Sequence, residues 1–140
     1  MKNIQKVLTD IIQESSKIFW VLFKVILPVI IIIRALELMG AIPYLAKFLE
    51  PLTSFIGIDG SLGLVWMAAI LVNIYAGMAA FASLQPIFDY TVAETTILGL
   101  IILIAHSLPI EVAIARQSRV SAIFNLLFRF INAVIAGKIL

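Results

Sequence analysis

The 140-residue sequence contains no cysteine, only one histidine, and few charged residues, which make up 13% of the chain. The absence of cysteine excludes disulfides, thiolate catalysis and cysteine-based metal sites. One histidine and no paired-carboxylate motif give no arrangement typical of a metal cluster or of a nucleophile with its base. We therefore expect neither an enzyme nor a bound metal or cofactor.

Hydrophobic residues take the place of the missing charges: they form 63% of the chain, and the mean hydropathy is +1.15. A soluble domain is about half apolar and about a quarter charged. The length allows about four helical spans of about 20 residues each. We predict an all-α, multi-pass integral membrane protein in contact with the lipid bilayer, with no soluble catalytic or nucleic-acid-binding domain.

Residues 1–17 have the periodicity of an amphipathic helix, which we expect to lie at the membrane interface, ahead of a transmembrane domain over 18–140. The apolar positions of this helix are Ile4, Val7, Leu8, Ile11 and Ile12. Lysines at positions 2, 6, 17 and 24 place the N-terminus in the cytoplasm by the positive-inside rule. No small-residue cleavage site follows the first hydrophobic run, so a cleaved signal peptide is not expected.

Hydropathy predicts four transmembrane helices, over 18–39, 61–84, 93–109 and 120–140. Pro28 is expected to kink the first helix, near whose end Arg34 and Glu37 are spaced to pair. The segment 40–60 is too short and polar to cross, and it ends in a strong turn signal at 57–60. This segment is predicted to be either an interfacial helix or a re-entrant half-helix.

Four simple spans conflict with the charge distribution. They return the C-terminus to the cytoplasm and therefore place Arg116 and Arg119, predicted to lie in a short basic turn over 111–119, on the outer side. The positive-inside rule requires the opposite. A re-entrant or broken helix near 84–110 would remove this conflict, whereas a re-entrant 40–60 segment would not.

Polar residues recur inside the predicted spans. Asn73 belongs to a small-residue face of the second span, and the third span ends at His106, Ser107, the helix breaker Pro109 and Glu111. The fourth span carries a polar and small stripe, whose members are Ser118, Ser121, Asn125, Arg129, Asn132 and Ala136. A charge as deep as Arg129 needs an acidic partner, water or a bundle interior, and Glu111 and Glu37 are the candidate partners.

Each of these polar sets also has a structural interpretation. Asn73 can be one satisfied residue on a plain packing face, since small residues and amides both join helices in membranes. His106 can be a helix-end histidine bonded to a backbone carbonyl. The charges near the ends of the spans can be ordinary interfacial pairs.

Two motifs resemble a known family: the sequence Asn-Ile-Tyr-Ala-Gly at 73–77, and Ala-His-Ser-Leu-Pro-Ile-Glu at 105–111, followed by an arginine-bearing helix. Together they are similar to the nucleoside-recognition, or Gate-domain, membrane proteins. That group includes spore maturation proteins A and B and the gate segments of bacterial ferrous-iron transporters. The resemblance implies a small helical unit with a helical hairpin, located in a bacterial cytoplasmic (inner) membrane. It also implies assembly as a homo-oligomer or with a second Gate-type protein.

We therefore expect a component of a membrane transporter for a small polar or anionic solute, nucleoside-like by the resemblance. Broken helices with polar ends at mid-membrane are how transporters hold substrates and coupling ions. The candidate substrate-binding residues are Asn73, Tyr75, His106, Ser107, Glu111, Asn125, Arg129 and Asn132. The alternative is a non-transporting membrane scaffold or regulatory subunit, in which the same residues join helices to one another.

Overall fold

The computed structural model describes residues 2–117 and 119–140, without the side chains of residues 2–5 and 117. Met1, and Ser118 of the predicted polar stripe, lie outside the described residues. Every regular element in the described part is an α-helix, which confirms the predicted fold class. The helices are α1 Lys2–Leu38, α2 Ile42–Ile56, α3 Gly60–Leu71, α4 Ile74–Leu84, α5 Val92–Ile104, α6 Leu108–Gln117 and α7 Ala122–Ile139.

Helix α1 has 37 residues, which corresponds to a length of about 55 Å at 1.5 Å per residue. It has no break between residues 17 and 18, so the amphipathic segment and the first span form one helix. It also continues through Pro28. Near its C-terminal end Ile33 is buried and Arg34 pairs with Glu37, as the spacing predicted. The interfacial placement of residues 1–17 stays a prediction.

Helix α2 meets α3 at an angle of 91°. The turn between them is the one that the sequence predicts: Gly57 ends α2 with φ +92°, and Asp59 caps α3 by accepting a hydrogen bond from the Ser61 amide at 2.8 Å. The two helices touch closely at Gly60, where a Cβ atom would lie 2.4 Å from the Ala46 carbonyl oxygen. By length and composition the bent pair α2–α3 is either a broken span or a re-entrant loop, so both alternatives for 40–60 stay predictions.

The predicted span over 61–84 is wrong, because two short helices occupy this segment. Helix α3 ends at Leu71, and the extended residue Asn73 begins α4 by accepting a hydrogen bond from the Ala76 amide at 3.0 Å. A Cβ atom on Gly77 would lie 2.8 Å from the Ala69 Cβ. Two residues eight apart in a straight helix are separated by about 12 Å. Helix α4 therefore folds back along α3.

The two open ends of this hairpin lie at the same end of the molecule. The Ser61 hydroxyl, at the start of α3, is 2.7 Å from the Tyr90 hydroxyl, which follows α4. The Asp59 amide donates to the Glu94 carboxylate at 3.2 Å. Each arm is about 17–18 Å long, close to half of the hydrocarbon thickness. The segment therefore has the shape of a helical hairpin, and its arms have the length expected of a re-entrant segment.

Helices α5 and α6 correct two further predictions. The predicted span over 93–109 is interrupted at 105–107, before Pro109, which lies in the first turn of α6, where proline is tolerated. The predicted basic turn over 111–119 is largely helix. Together α5 and α6 form a broken segment, Val92–Arg116, that is long and apolar enough to cross a membrane. Helix α7 runs antiparallel to this segment, with Gly137 against Ile97 and Ile101 near one end.

Within the described residues, three segments are long and apolar enough to cross: Lys6–Leu38, Val92–Arg116 and Ala122–Ile139; the bent pair α2–α3 makes a fourth if it is counted as one span. A re-entrant hairpin at 60–84 would return to its starting side and place the N-terminal lysines on the same side as Arg116 and Arg119. It would then remove the conflict with the positive-inside rule from a position at 60–84 rather than near 84–110. We expect the N-terminus in the cytoplasm and the C-terminus outside.

Candidate functional site

The hairpin tip and the α5–α6 break meet in the middle of the protein. The Ser107 amide donates to the Ala69 carbonyl at 2.8 Å, and the Trp66 indole N–H donates to the Ala105 carbonyl at 3.2 Å. Broken helices leave backbone groups without their usual partners, and lipid cannot replace them. Ala69 and Ala105 are fully buried, so these two bonds between segments supply what the helices cannot.

The break is held in an unusual backbone conformation. Ser107 has φ +50°, a left-handed value that costs a non-glycine residue about 1–2 kcal/mol. Its carbonyl accepts from the amides of Ile110 and Glu111, which begins α6. Just before it, His106 Nδ1 lies 2.9 Å from the Ile102 carbonyl. Because a carbonyl only accepts, Nδ1 carries the proton, and Nε2 of the neutral ring is left as an acceptor.

Helix α7 is joined to this centre by an aromatic stack. The rings of Trp66 and Phe130 lie 5.3 Å apart and nearly parallel, at 5°. Trp66 is buried. Its N–H contacts the α5–α6 break and its ring contacts α7. One side chain thus links the hairpin, the broken span and the last helix.

The charged part of the site lies one helical turn beyond the break. Glu111, in the first turn of α6, forms an ion pair with Arg129 of α7, so of the three predicted environments for Arg129 the structure shows an acidic partner. Both side chains are about one-quarter exposed. The positive end of the α6 dipole also favours a carboxylate at this position. Glu37, the other candidate partner, pairs with Arg34 instead.

The ion pair lies in an open groove of about 330 Å³ between α6 and α7. The groove is lined by Glu111, Ile114, Ala115, Val120, Asn125 and Arg129. It combines a cation, an anion and an amide with aliphatic walls. Such a groove suits a small molecule that carries both polar and apolar groups.

The eight predicted binding residues divide into three sets. Glu111, Asn125 and Arg129 share the groove, while His106 and Ser107 form the break one turn away. Asn73 caps α4 at the hairpin tip, and Tyr75 beside it is 45% exposed. Asn132 is exposed on α7 and donates to the Phe128 carbonyl. The last three residues, Asn73, Tyr75 and Asn132, do not line the groove.

Sequence reasoning missed Trp66, for which the sequence carries no local signal. It also missed the polar network at the base of the hairpin, formed by Asp59, Ser61, Tyr90, Thr91 and Glu94. The capping-box spacing of Thr91 and Glu94 was a signal for the start of α5. Burial raises the pKa of Tyr90, and the nearby carboxylates of Asp59 and Glu94 raise it further, against a lowering by the Ser61 hydrogen bond.

Comparison with known proteins supports the membrane assignment. The chain is 29% identical over 98 residues to a protein of Bacillus subtilis (strain 168) described as "Uncharacterized membrane protein YvoD". The match covers 70% of this chain but only 30% of that protein, so the chain corresponds to less than a third of its relative's length. No family model matches the sequence. No solved structure matches it either.

Proposed function

We propose that this multi-pass membrane protein is a component of a transporter for a small polar or anionic solute in the bacterial cytoplasmic membrane. It acts as an oligomer or beside a second Gate-type subunit. The Gate-domain resemblance belongs to this proposal, and with it a nucleoside-like solute. The observation that carries the proposal is that the tip of the α3–α4 hairpin and the α5–α6 break meet inside the protein, one helical turn from an accessible Glu111–Arg129 pair.

This combination supports transport for a physical reason. Interrupted helices and charges at mid-membrane are costly, and membrane proteins retain them where an ion or substrate must be held. Arg129 supplies a cation for an anionic group, and Glu111 can exchange its partner when that group binds. His106 offers Nε2 as a hydrogen-bond acceptor.

The alternative, a membrane scaffold or regulatory subunit, also has an observation in its favour. Several predicted binding residues already have partners inside the protein: Asn73 caps α4, His106 bonds Ile102, and Arg129 pairs with Glu111. In a scaffold, these bonds hold the helices together and no solute replaces them. Substitutions at these residues then break the assembly rather than a response to a ligand.

A ligand screen on the purified protein distinguishes the two functions. Thermal stability in mild detergent is measured against nucleosides, nucleobases, organic anions and divalent metals. A ligand at one hundred times its dissociation constant stabilises the folded protein by about 2.7 kcal/mol. Transport predicts that at least one class raises the melting temperature of wild type, and that the rise is lost in His106→Ala and Arg129→Lys.

The control for Arg129→Lys is Arg34→Lys, since Arg34 is also ion-paired but its side chain is 65% exposed, and it lies away from the groove. The control must keep the ligand response. A rise of the same size in Arg129→Lys, His106→Ala and wild type would count against the site. If no class shifts wild type and the site variants lose their oligomeric state, the scaffold function is favoured.

A further inference from the structure

A second open groove lies at the base of the hairpin, at the end of α5 opposite to the break, and measures about 340 Å³. The end of α4, the connection after it and the first turn of α5 supply its walls. The lining residues are Phe81, Gln85, Phe88, Asp89, Tyr90 and Thr95. Half of these side chains are aromatic, whereas the walls of the Glu111–Arg129 groove are aliphatic.

The aromatic walls of this groove are held in place by contacts within the protein. The ring of Tyr90 lies 5.8 Å from the ring of Phe81 and 6.0 Å from the ring of Phe88, stacked at 28° and 16°. The Tyr90 hydroxyl is 2.7 Å from the hydroxyl of Ser61, which is buried. The faces of such rings carry negative potential and attract ammonium groups. The groove is therefore preorganised for an organic cation.

The charge of the groove has the same preference. Asp89 is exposed in it, and among the described side chains it has neither an ion-pair nor a hydrogen-bond partner. Asp59 and Glu94, also at the hairpin base, have no lysine or arginine partner in the described chain either. These carboxylates favour a cation over an anion. A metal ion is not favoured, because no group of three acidic or histidine side chains in the described residues could hold one.

The groove continues into an apolar groove of about 200 Å³ between α4 and α5, with which it shares Phe81 and Thr95. The other walls of the apolar groove are Ile74, Gly77, Met78, Leu98, Gly99 and Ile102. A Cβ atom on Gly99 would meet no atom within 4 Å, so the space beside this residue is open. A cation with an apolar chain can therefore occupy both grooves at once.

We propose that the two continuous grooves bind an organic ammonium ion that carries an alkyl chain. The ammonium group lies against Asp89 and the three rings, and the chain lies between α4 and α5. Both free alkylammonium compounds and the head groups of some phospholipids contain this group. The site lies at the other end of α5 from the Glu111–Arg129 groove and does not depend on transport, so the failure of either site leaves the other unaffected.

Binding is measured by equilibrium dialysis of the purified protein in an uncharged detergent, with binding to protein-free micelles subtracted. The probes are hexyltrimethylammonium and tetramethylammonium, with hexanoate as an anionic competitor of similar chain length. We expect hexyltrimethylammonium to bind about tenfold more tightly than tetramethylammonium, because its chain is buried in the apolar groove. Hexanoate should not displace it. A wild-type protein that does not bind hexyltrimethylammonium, or that releases it to hexanoate, would overturn the proposal.

Variants assign this binding to the grooves, with circular dichroism to verify helix content. Asp89→Asn should weaken hexyltrimethylammonium binding about fivefold, and Phe88→Leu about threefold. The control Glu50→Gln removes an equally exposed carboxylate of α2 that lines neither groove, and it should bind like wild type. Gly99→Leu should fill the apolar groove and remove the preference for the hexyl chain. Equal effects of Asp89→Asn and Glu50→Gln, or an unchanged chain preference in Gly99→Leu, would contradict the proposed site.

Competition identifies the source of the ammonium group. Dihexanoylphosphatidylcholine carries a trimethylammonium head group, and dihexanoylphosphatidylglycerol has the same chains without it. Displacement of hexyltrimethylammonium by the choline lipid alone supports a lipid head group as the natural occupant. Displacement by neither lipid supports a free alkylammonium compound. Equal displacement by both lipids would overturn the proposal, because the site would then recognise the chain rather than the ammonium group.

Discussion

Replacing Trp66 by phenylalanine tests the bond between the hairpin and the α5–α6 break. Phenylalanine keeps an aromatic ring against Phe130 but removes the indole N–H that donates to the Ala105 carbonyl. Ala105 is fully buried, so water does not replace the donor. Interhelical hydrogen bonds in membranes contribute about 0.6 kcal/mol on average, and a buried unpaired acceptor costs about 1–3 kcal/mol. We expect a loss of about 1.5 kcal/mol.

The loss is measured from SDS-induced unfolding, followed by far-UV circular dichroism so that the readout does not depend on tryptophan fluorescence. Trp20→Phe is the internal control, because Trp20 is 57% exposed and its ring packs against Phe19 and Phe23 of the same helix. It should change the unfolding free energy by less than about 0.5 kcal/mol, as surface substitutions do. Benzothienylalanine at position 66 keeps the shape of tryptophan without the N–H and should reproduce most of the loss. If Trp66→Phe matches Trp20→Phe, or the shape analogue matches wild type, the bond does not stabilise the junction.

Three further outcomes follow from the hairpin and its base. Gly77→Ala places a Cβ 2.8 Å from the Ala69 Cβ and should lower the unfolding free energy by about 1–3 kcal/mol. The control Gly99→Ala meets no atom within 4 Å and should raise the unfolding free energy by about 0.5–1 kcal/mol. Equal effects of the two variants in SDS unfolding would contradict the close approach of α3 and α4. Gly60→Ala, whose Cβ would lie 2.4 Å from a backbone oxygen, should lower the melting temperature more than Gly77→Ala does. Because the pKa of Tyr90 is raised in the folded protein, its hydroxyl loses the proton at lower pH in the unfolded chain than in the folded one. The unfolding free energy should therefore fall as pH rises above about 10. Tyr90→Phe should show a smaller fall in pH-dependent unfolding, and an identical fall would exclude this cause.

Composition and hydropathy were sufficient to predict the all-helical membrane class, and local signals located the turn after α2. The sequence also predicted that Arg129 needs an acidic partner, water or a bundle interior, because a deep cation is unfavourable alone. The spacing of Arg34 and Glu37 already indicated that Glu37 has its own partner, and the structure shows both that pair and the Glu111–Arg129 pair.

The hairpin could not be predicted in the same way. Residues 61–84 are apolar over the length of one full crossing, and Asn73 has two physical roles in such a stretch. It can donate across a helix contact, or it can cap a new helix, and only the second produces a turn. The choice depends on contacts distant in sequence, chiefly Gly77 against Ala69 and Ser107 against Ala69.

The position of the α5–α6 break has a similar explanation. Pro109 suggested a break at itself, but proline is accepted in the first turn of a helix, so the chain is interrupted earlier, at 105–107. The hydrogen bonds that make this interruption tolerable come from Trp66 and Ala69, which lie about 40 residues away in the chain.

The re-entrant hairpin determines which residues share a side of the membrane, and single-cysteine labelling in intact cells measures this. Met39→Cys precedes α2, Gln85→Cys follows α4, and Arg119→Cys lies between α6 and α7; all three positions are exposed. A membrane-impermeant maleimide should label Met39→Cys and Gln85→Cys from outside, and Arg119→Cys only after permeabilisation. If 60–84 crossed the membrane, Met39→Cys and Gln85→Cys would label on opposite sides, and the hairpin would be wrong.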